Sequence, residues 1–417
     1  MRRIALNVTA AAAFGLLASS ALAADKSVEM LHFWTSGGEA EGVRALKDAL
    51  AAKGIEWKDA AVAGGTGANA YQVLRSRLAA GTPPSGAQMH IQETLAWANQ
   101  GLLRDLSPLA EKDGWRKEIL PAIQSNYEVD GKWVAVPVTM HRSNWLWYNS
   151  ALLMKVGAEP PKSWDEFNAI ADKLKAAGIT PLALGGQNWQ YGDLLESVIV
   201  AKGGADFYRK IVAGDLEAIK SDTMISVFDQ IAKLRGYVDA NSPGRDWNLA
   251  TAMVINGEAA FQIMGDWAKA EFALAGKKPG IDYGCVASPG TDKDFIWLVD
   301  NFAFFNLNDK AAEEAQNTLA ETVLDPKVQV DFAIKKGSIP VIDNVDATRL
   351  DACGQKSYED RKNAATTNGV VPSIFHNAAL PAAQTGVYLD VVSEFFVTPS
   401  MTSKDAVEAI VTGLGQL

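Results

Sequence analysis

The sequence predicts an α/β protein made of two lobes, and three observations support this fold class. Strand and helix patterns alternate over the first hundred residues, which is typical of a mainly parallel sheet covered by helices. A second block of strands and helices follows Pro137, and a chain of 417 residues is long enough for two domains. Crossings of the chain near Pro137 and Gly284 would make both lobes discontinuous. This chain connectivity places a cleft between the lobes, and small ligands commonly bind in such clefts.

The amino-terminal segment has the pattern of a secretory signal peptide. Two arginines occur in the first three residues, an apolar run covers 4–22, and residues 21–23 read Ala-Leu-Ala. A membrane anchor is the alternative, but polar residues interrupt the apolar run and small residues end it. We therefore predict a signal peptide at 1–23, cleavage near Ala23 and export to the periplasm. No later apolar run has the length of a transmembrane helix, so no stable membrane insertion is expected.

Charge and cysteine content narrow the possible partners. The formal net charge is −10, and loss of the two leader arginines makes the mature chain more negative. An acidic surface argues against nucleic acid and against anionic membranes as partners. The two cysteines, Cys285 and Cys353, allow one disulfide in an exported chain, while two buried thiols remain the alternative.

The first block begins with an apolar strand that runs into a Gly-Gly corner. The predicted elements are a strand at 28–34, a helix at 39–53, a strand at 55–62, a helix at 70–80, a strand at 87–91 and a helix at 92–99. Trp34 ends the first strand, and Glu39 begins the first helix. An aromatic face beside a carboxylate suits a sugar, which has C–H faces and a rim of hydroxyls. The alternative is that Trp34 belongs to the core and Glu39 is a helix N-terminal charge.

The remainder of the chain contains a hairpin and then a second series of elements. Asp130-Gly131 is the predicted hairpin turn at 127–136, and Ser163 with Glu166 forms a predicted helix capping box. Further strands are predicted at 145–149, 180–184, 283–287 and 297–305, with mainly helical structure at 190–275, 310–324 and 326–335. A turn follows at 336–340, and the C-terminal part is again mostly helical.

An ordered set of motifs over nearly the whole mature chain resembles the solute-binding proteins of carbohydrate-uptake ABC transporters, and most of all their glucose-binding branch. The motifs are Phe33-Trp34-Thr35-Ser36-Gly37-Gly38-Glu39, Gln88-Met89-His90, Trp147-Tyr148-Asn149, Pro160-Pro161-Lys162-Ser163-Trp164-Asp165-Glu166-Phe167, Met264-Gly265-Asp266-Trp267, Lys336-Gly337-Ser338-Ile339-Pro340 and Phe375-His376. The resemblance implies a type II-like periplasmic-binding-protein fold. Its N-terminal lobe would comprise 24–137 and 284–338, and its C-terminal lobe 138–283 and 339–417.

The resemblance also implies a function and a binding site. The protein would capture a monosaccharide, glucose or a related hexose, and deliver it to the permease of an ABC transporter, without catalysis. The site residues carried over by position are Trp34, Glu39, Gln88, His90, Trp267, Asp300, Asn301, Lys336 and His376. Aromatic rings would cover the sugar faces, Asp300 would accept from two adjacent hydroxyls, and Lys336 would donate.

Rival functions find less support in the sequence. A secreted glycoside hydrolase would need two carboxylates across one bond, for which Glu39 and Asp300 are the candidates. A binding protein for an oligosaccharide, or for another small solute such as a polyamine, is the second rival. The sequence lacks the His-x-x-x-His, Cys-x-x-Cys and calcium-loop patterns, so neither metal nor cofactor is expected. The Gly64-Gly65-Thr66-Gly67 segment resembles a phosphate loop only loosely and lacks its lysine.

Overall fold

The structure, a computed structural model, describes residues 26–417, so the predicted signal peptide lies outside the described residues. The strands are β1 Ser27–His32, β2 Glu56–Ala61, β3 Gly86–Met89, β4 Glu128–Val129, β5 Lys132–Trp133, β6 Val136–Arg142, β7 Trp145–Asn149, β8 Thr180–Leu182, β9 Ala259–Ile263, β10 Tyr283–Ala287, β11 Phe295–Phe304 and β12 Val370–Pro372. The helices are α1 Gly37–Ala51, α2 Ala68–Ala79, α3 Ile91–Asn99, α4 Ser107–Lys112, α5 Trp115–Glu118, α6 Pro121–Gln124, α7 Ser150–Lys155, α8 Trp164–Ala176, α9 Asn188–Val212, α10 Leu216–Ile219, α11 Asp222–Arg235, α12 Trp247–Asn256, α13 Ala268–Leu274, α14 Lys310–Val323, α15 Pro326–Lys336, α16 Ala352–Thr366, α17 Ala382–Val397 and α18 Ser403–Leu414.

The first lobe is built on a sheet with the order β12-β11-β3-β1-β2, in which β6 pairs with the long strand β11. Strands β1, β2 and β3 are parallel, as the alternating pattern predicted, whereas β11 runs antiparallel to β3 and β6. Helices α1, α2, α3, α14 and α15 contact these strands. The parallel strands therefore end at one edge of the sheet, where ligands of open α/β sheets bind.

The second lobe is built on a smaller sheet with the order β10-β7-β9-β8. Helices α8 and α12 contact its strands, and α9, α11, α17 and α18 pack against one another. A second apolar core, which includes Phe167, Phe228, Phe261 and Phe395, lies within this lobe. Each lobe thus has its own sheet, and the predicted two-lobed α/β fold class is confirmed.

The sheets place the chain crossings later than the predicted boundaries near 137 and 284. Strand β6 belongs to the first sheet as far as Arg142, so the first crossing lies between Arg142 and Trp145. Pro137, which we interpreted as a strand end, lies inside β6, where the register against β11 shifts between Asp300 and Asn301. Because proline has no backbone N–H to donate to a neighbouring strand, it is tolerated at such an irregularity.

The second and third crossings also differ in detail. Strand β10 pairs with β7 of the second sheet, so the chain returns to the first sheet only between Ala287 and Phe295. Strand β12 pairs with β11 in the first sheet, although it lies in the 339–417 segment that we assigned to the C-terminal lobe. Pairing between strands distant in sequence determines these memberships, and local patterns do not reveal it.

Local signals position the elements around the cleft. Ser36 caps α1 by accepting a hydrogen bond from the Glu39 amide, and the Glu39 side chain accepts from the Ser36 amide, which completes a capping box. The predicted box at Ser163 is half formed, because Glu166 accepts from the Lys162 amide instead.

Two further findings concern the covalent framework and the membrane. Cys285 on β10 and Cys353 on α16 form a disulfide with a Cα–Cα distance of 6.0 Å, which decides between the two alternatives that the sequence left open. Among residues 26–417, no helix is both long and apolar enough to cross a bilayer.

Candidate ligand-binding cleft

A cleft with a volume of ≈ 190 Å³ lies between the two lobes. Loops after the parallel strands of the first sheet supply one wall, because the residues after β1 and β3 emerge at the same sheet edge. This wall includes Phe33, Trp34, Glu39, Ala63, Gly64, Gly65, Thr66, His90, His141, Leu298, Asp300 and Lys336. The opposite wall includes Gln187, Trp189, Asp246, Trp247, Asn248, Trp267 and His376.

Aromatic rings on both walls are held in place by packing. Trp34 lies 5.7 Å from Phe302 and 5.4 Å from Phe332, measured between ring centroids. On the opposite wall, the Trp267 ring lies 5.1 Å from His376 and 6.2 Å from Trp189. Because these rings are rigid and nearly buried, they offer apolar surface to a ligand at little entropic cost.

The Asp300 carboxylate is at the centre of a buried hydrogen-bond network. Its Oδ1 accepts from Gln88 Nε2 at 2.9 Å and lies 3.3 Å from His90 Nε2. Its Oδ2 lies 3.1 Å from His141 Nε2, and His141 Nδ1 lies 2.5 Å from Asp266. Gln88 is held in turn, since its side-chain oxygen accepts from the Phe33 amide at 3.0 Å. The network fixes Asp300 in one position on the cleft wall.

Electrostatics keep the Asp300 carboxyl group ionised. Burial alone would raise the pKa of Asp300, but hydrogen bonds from His141 and His90 outweigh burial and hold that pKa well below its ordinary value. Burial would lower the pKa of His141, yet the Asp266 charge and the hydrogen bonds to Asp266 and Asp300 together outweigh it, so the pKa of His141 is raised. His141 therefore joins two carboxylates in the interior, with one ring nitrogen facing Asp266 and the other facing Asp300.

Glu39 and Lys336 form a second charged pair on the same wall. Lys336 Nζ lies 3.1 Å from Glu39 Oε1, and the other Glu39 oxygen accepts from the Thr35 and Ser36 amides at 3.1 and 3.2 Å. Lys336 ends α15, and Gly337 follows with a φ of 93°. A Cβ at Gly337 would lie 2.5 Å from the Asp266 carbonyl oxygen, so glycine permits the close approach that positions Lys336.

His376 on the opposite wall is backed by a buried acidic pair. Its Nδ1 lies 3.0 Å from the Ser373 hydroxyl, and its Nε2 lies 3.5 Å from Asp193 Oδ1. Burial and the neighbouring imidazoles His90 and His141 lower the pKa of His376 well below its ordinary value. Burial also raises the pKa of Glu196 to about 7 and, with the Glu196 charge, raises that of Asp193 well above its ordinary value.

The side chains of Asp193, Glu196 and His376 lie close enough together to be considered as metal ligands, with ligand atoms within 4.8 Å of one another. The Glu196 oxygens, however, already accept from the Ser143, Ser373 and Tyr208 hydroxyls and from the Ile374 amide. A carboxylate with its acceptor positions filled is a poor cation ligand. The grouping therefore does not alter the expectation that no metal is needed.

Most of the sequence-predicted residues meet at this cleft. Those that line it are Trp34, Glu39, His90, Trp267, Asp300, Lys336 and His376. Gln88 and Asn301 are buried behind the wall instead. Gln88 supports Asp300, and Asn301 accepts from the Tyr127 hydroxyl at 2.6 Å because its side chain points to the other face of β11.

Comparison with known proteins decides the family. The family described as "Bacterial extracellular solute-binding protein" matches residues 36–326. This chain is a bacterial extracellular solute-binding protein. The "Probable sugar-binding periplasmic protein" of Mesorhizobium japonicum is 45% identical over 417 residues, which cover 99% of this chain and 99% of the relative. Members of the family bind solutes and are not enzymes, so the prediction that the protein is not an enzyme is confirmed.

Solved structures share the fold of this solute-binding protein. A "Chitin oligosaccharide binding protein" has a TM-score of 0.79 and 20% identity, with 94% of this chain and 98% of that chain covered. The solute receptor AcbH, described as having an exclusive preference for b-D-galactopyranose, has a TM-score of 0.77 and 18% identity, with 94% and 99% covered. At these identities the likeness establishes the two-lobed fold.

Several cleft residues of this solute-binding protein were not predicted. His141 was missed because Pro137 was interpreted as a strand end, which concealed β6 and the position of its inward-facing residues. Trp189 and Trp247 were missed because the chain has 12 tryptophans and no local pattern separates cleft rings from core rings. Gly64-Gly65-Thr66-Gly67 was noticed, but it was compared only with phosphate loops.

Proposed function

We propose that this solute-binding protein captures a monosaccharide, a hexose such as glucose, in the periplasm and delivers it to the membrane permease of an ABC transporter. The observation that carries the proposal is the fixed, ionised Asp300 carboxylate on the wall of a cleft lined by tryptophans. A carboxylate that accepts from a hydroxyl, combined with rings that cover C–H surface, matches the two faces of a sugar.

The network around Asp300 limits how many ligand hydroxyls it can bind. A carboxylate has about four acceptor positions. Gln88, His90 and His141 take three of them. One position remains for a ligand, so we expect Asp300 to accept from one hydroxyl and not from the two adjacent hydroxyls that the sequence suggested.

Most charged groups in the walls are paired within the protein, which favours a neutral ligand. Among the described residues the exposed Asp246 is an exception, since it accepts only from Gln187 Nε2 at 2.9 Å. Lys336 pairs with Glu39, and His141 lies between Asp266 and Asp300. A polyamine would need unpaired carboxylates to compensate its charge, since desolvating an unpaired cation is costly. A neutral polyol needs only donors and acceptors, and these charged groups supply strong ones.

Cleft size supports a single sugar ring. The ≈ 190 Å³ volume is smaller than the ~300–1,000 Å³ typical of pockets for drug-sized ligands. Structures of this fold are described as binding either chitin oligosaccharide or galactopyranose, so the fold accommodates both ligand lengths. We therefore base the choice of a monosaccharide on the cleft, while the relative described as sugar-binding supports the ligand class.

A thermal-shift panel followed by calorimetry tests the proposal. The panel comprises glucose, galactose, mannose, xylose, maltose, lactose and spermidine, because a ligand that binds only the folded state raises its melting temperature. We expect one hexose to give the largest shift and to be recovered unchanged. A rise in melting temperature with spermidine alone, or no rise with any of the sugars, would reject the proposal. Release of aryl alcohol from an aryl glycoside would instead support the glycoside hydrolase.

A further inference from the structure

We propose that the loop 63–67 of the first lobe determines ligand length: it is seated against Trp189 of the second lobe, closes one end of the cleft and so restricts the ligand to one sugar ring. The inference rests on the proposed function, because it assumes that the ligand is a sugar. It concerns a loop and a tryptophan that the resemblance did not assign to the site. Both line the cleft, from opposite walls.

The contact between Gly65 and Trp189 depends on the absence of a side chain. A Cβ built on Gly65 would lie 2.5 Å from Trp189 Nε1 and 2.8 Å from Cε2. These distances are shorter than a Cβ tolerates, so an alanine at this position would require the loop or the Trp189 indole to shift. The backbone of Gly65 is not in the left-handed region, so the close contact, and not the backbone conformation, demands glycine.

The loop is held in place by contacts within the first lobe. Asn69 Nδ2 donates to the Ala63 carbonyl oxygen at 3.0 Å. Gly67 has a φ of 83°, and a Cβ there would lie 2.6 Å from Phe33 Cε1. Thr66 has a φ of 57°, an uncommon conformation for a β-branched residue. Backbone strain of this kind is concentrated at functional sites, where surrounding contacts maintain it.

Trp189 is equally constrained on the second lobe. It lies in the first turn of α9, and its ring lies 6.2 Å from Trp267 and 5.9 Å from His376 between centroids. Its Nε1 is buried and has no hydrogen-bond partner among the described residues. Closure of the loop over Trp189 therefore hides a donor from water, so ligand binding must offset this cost.

A sugar that extended a second ring toward this end of the cleft would have to pass between these two constrained surfaces. Where Gly65 is in contact with the Trp189 indole, no space remains for a glycosidic substituent. The ligand of the closed protein is then bounded by the loop and Trp189 at this end. Removal of the indole should open that end, while a larger residue at 65 should prevent closure.

Calorimetry on four variants tests the inference, with glucose and galactose as one-ring probes and maltose and lactose as two-ring probes. The variants are Trp189→Ala, Gly65→Ala, the double variant, and Gly386→Ala. The last is the control, because a Cβ at Gly386 on α17 meets nothing within 4 Å. We expect Gly65→Ala to weaken hexose binding at least tenfold, and Trp189→Ala to raise the ratio of disaccharide to hexose affinity at least tenfold.

The double variant measures the contact itself. Without the indole, the alanine at 65 meets no obstacle, so we expect the double variant to bind hexose no more weakly than Trp189→Ala does. Two results would overturn this inference and leave the proposed function intact. One is an unchanged ratio of disaccharide to hexose affinity in a folded Trp189→Ala protein, and the other is a Gly65→Ala protein that binds hexose as tightly as Gly386→Ala does. If Trp189→Ala does not fold, the Gly65→Ala result decides. If the wild-type protein binds none of the four sugars, the proposed function fails as well.

Discussion

Lys336 Nζ lies 3.1 Å from Glu39 Oε1, which joins the C-terminus of α15 to the N-terminus of α1 at the cleft wall. Both side chains are largely buried, with 3% and 12% of their surface exposed. Removal of one partner from a buried ion pair leaves the other charge uncompensated. The pair therefore links the stability of the first lobe to the shape of the binding site.

Lys336→Met should weaken both ligand binding and folding. We expect hexose affinity to fall at least tenfold and the free energy of unfolding to fall by ~3 kcal/mol, because the Glu39 carboxylate loses its counter-charge. Calorimetry and urea unfolding measure the two effects. Lys335→Met is the matched control, since Lys335 is the exposed neighbour on the same helix. Equal behaviour of the two variants would show that Lys336 is not part of the site.

Asp300→Asn should reduce hexose affinity by about a hundredfold, which corresponds to ~2.7 kcal/mol. The amide carries no negative charge. It presents an NH₂ group to hydrogen-bond donors that face a carboxylate oxygen in the wild-type protein, so the network around Gln88 and His141 is disturbed. Calorimetry measures the affinity, and thermal unfolding without sugar measures any loss of stability. Asp390→Asn, at an exposed position on α17, is the control. An affinity within threefold of wild type would remove Asp300 from the site.

Sugar should make the protein more compact. In the structure the lobes touch at the cleft, where the Gly38 amide of α1 donates to Glu271 of α13 at 2.9 Å. A ligand that contacts both walls binds the closed state more tightly and so shifts the population toward it. We expect a smaller radius of gyration by small-angle X-ray scattering in saturating hexose. Superimposable profiles at full occupancy would indicate a site that is preformed.

Loss of the disulfide should destabilise the protein without abolishing binding. Cys285 and Cys353 are 68 residues apart in sequence, and chain-entropy arguments give ~4 kcal/mol for a loop of that length. Replacement of both cysteines by serine should therefore lower the free energy of unfolding in urea by that order. Neither cysteine lines the cleft, so hexose affinity should stay within threefold. A loss below ~1 kcal/mol would contradict the prediction.

Glu196 should make stability depend on pH near neutrality. Burial raises its pKa from 4.5 to about 7, so the folded state retains a proton that the unfolded state has released. The stabilisation that this retained proton gives to the folded state is complete below pH 4.5 and is lost as the pH rises to about 7. Glu196→Gln cannot ionise, so its stability relative to wild type should improve by about 2 kcal/mol between pH 5 and pH 7.5.

Urea unfolding at the two pH values checks this effect, with Glu359→Gln as the control at an exposed position on α16. The other titratable groups are common to both proteins, so only the difference between variant and wild type is informative. A difference that does not vary with pH, or that varies as it does for Glu359→Gln, would show that Glu196 titrates normally in the folded protein.

Local patterns predicted the α/β class and the two lobes, whereas most of the cleft residues were predicted from the resemblance to a known family. Strand and helix periods recur within short windows, and the residues after β1 and β3 must emerge at the same sheet edge. The position of Trp34 at the end of a strand suggested a ligand contact, but the assignment of Trp34 and His90 to the site relied on the resemblance to a known family. Asp300 and Lys336 required the resemblance to a known family, because an isolated acid or a helix-end lysine carries no local signature of binding.

The sequence by itself determined many of the helices and strands, since hydrophobic period, capping residues and glycine turns act over a few residues. Only the tertiary structure decided that β6 and β12 join the first sheet, that Gln88 and Asn301 lie behind the cleft wall, and that His141 bridges Asp266 and Asp300. It also decided that Gly65 meets Trp189. These relationships join residues far apart in the chain, and they depend on how whole sheets and helices pack, which no local pattern encodes.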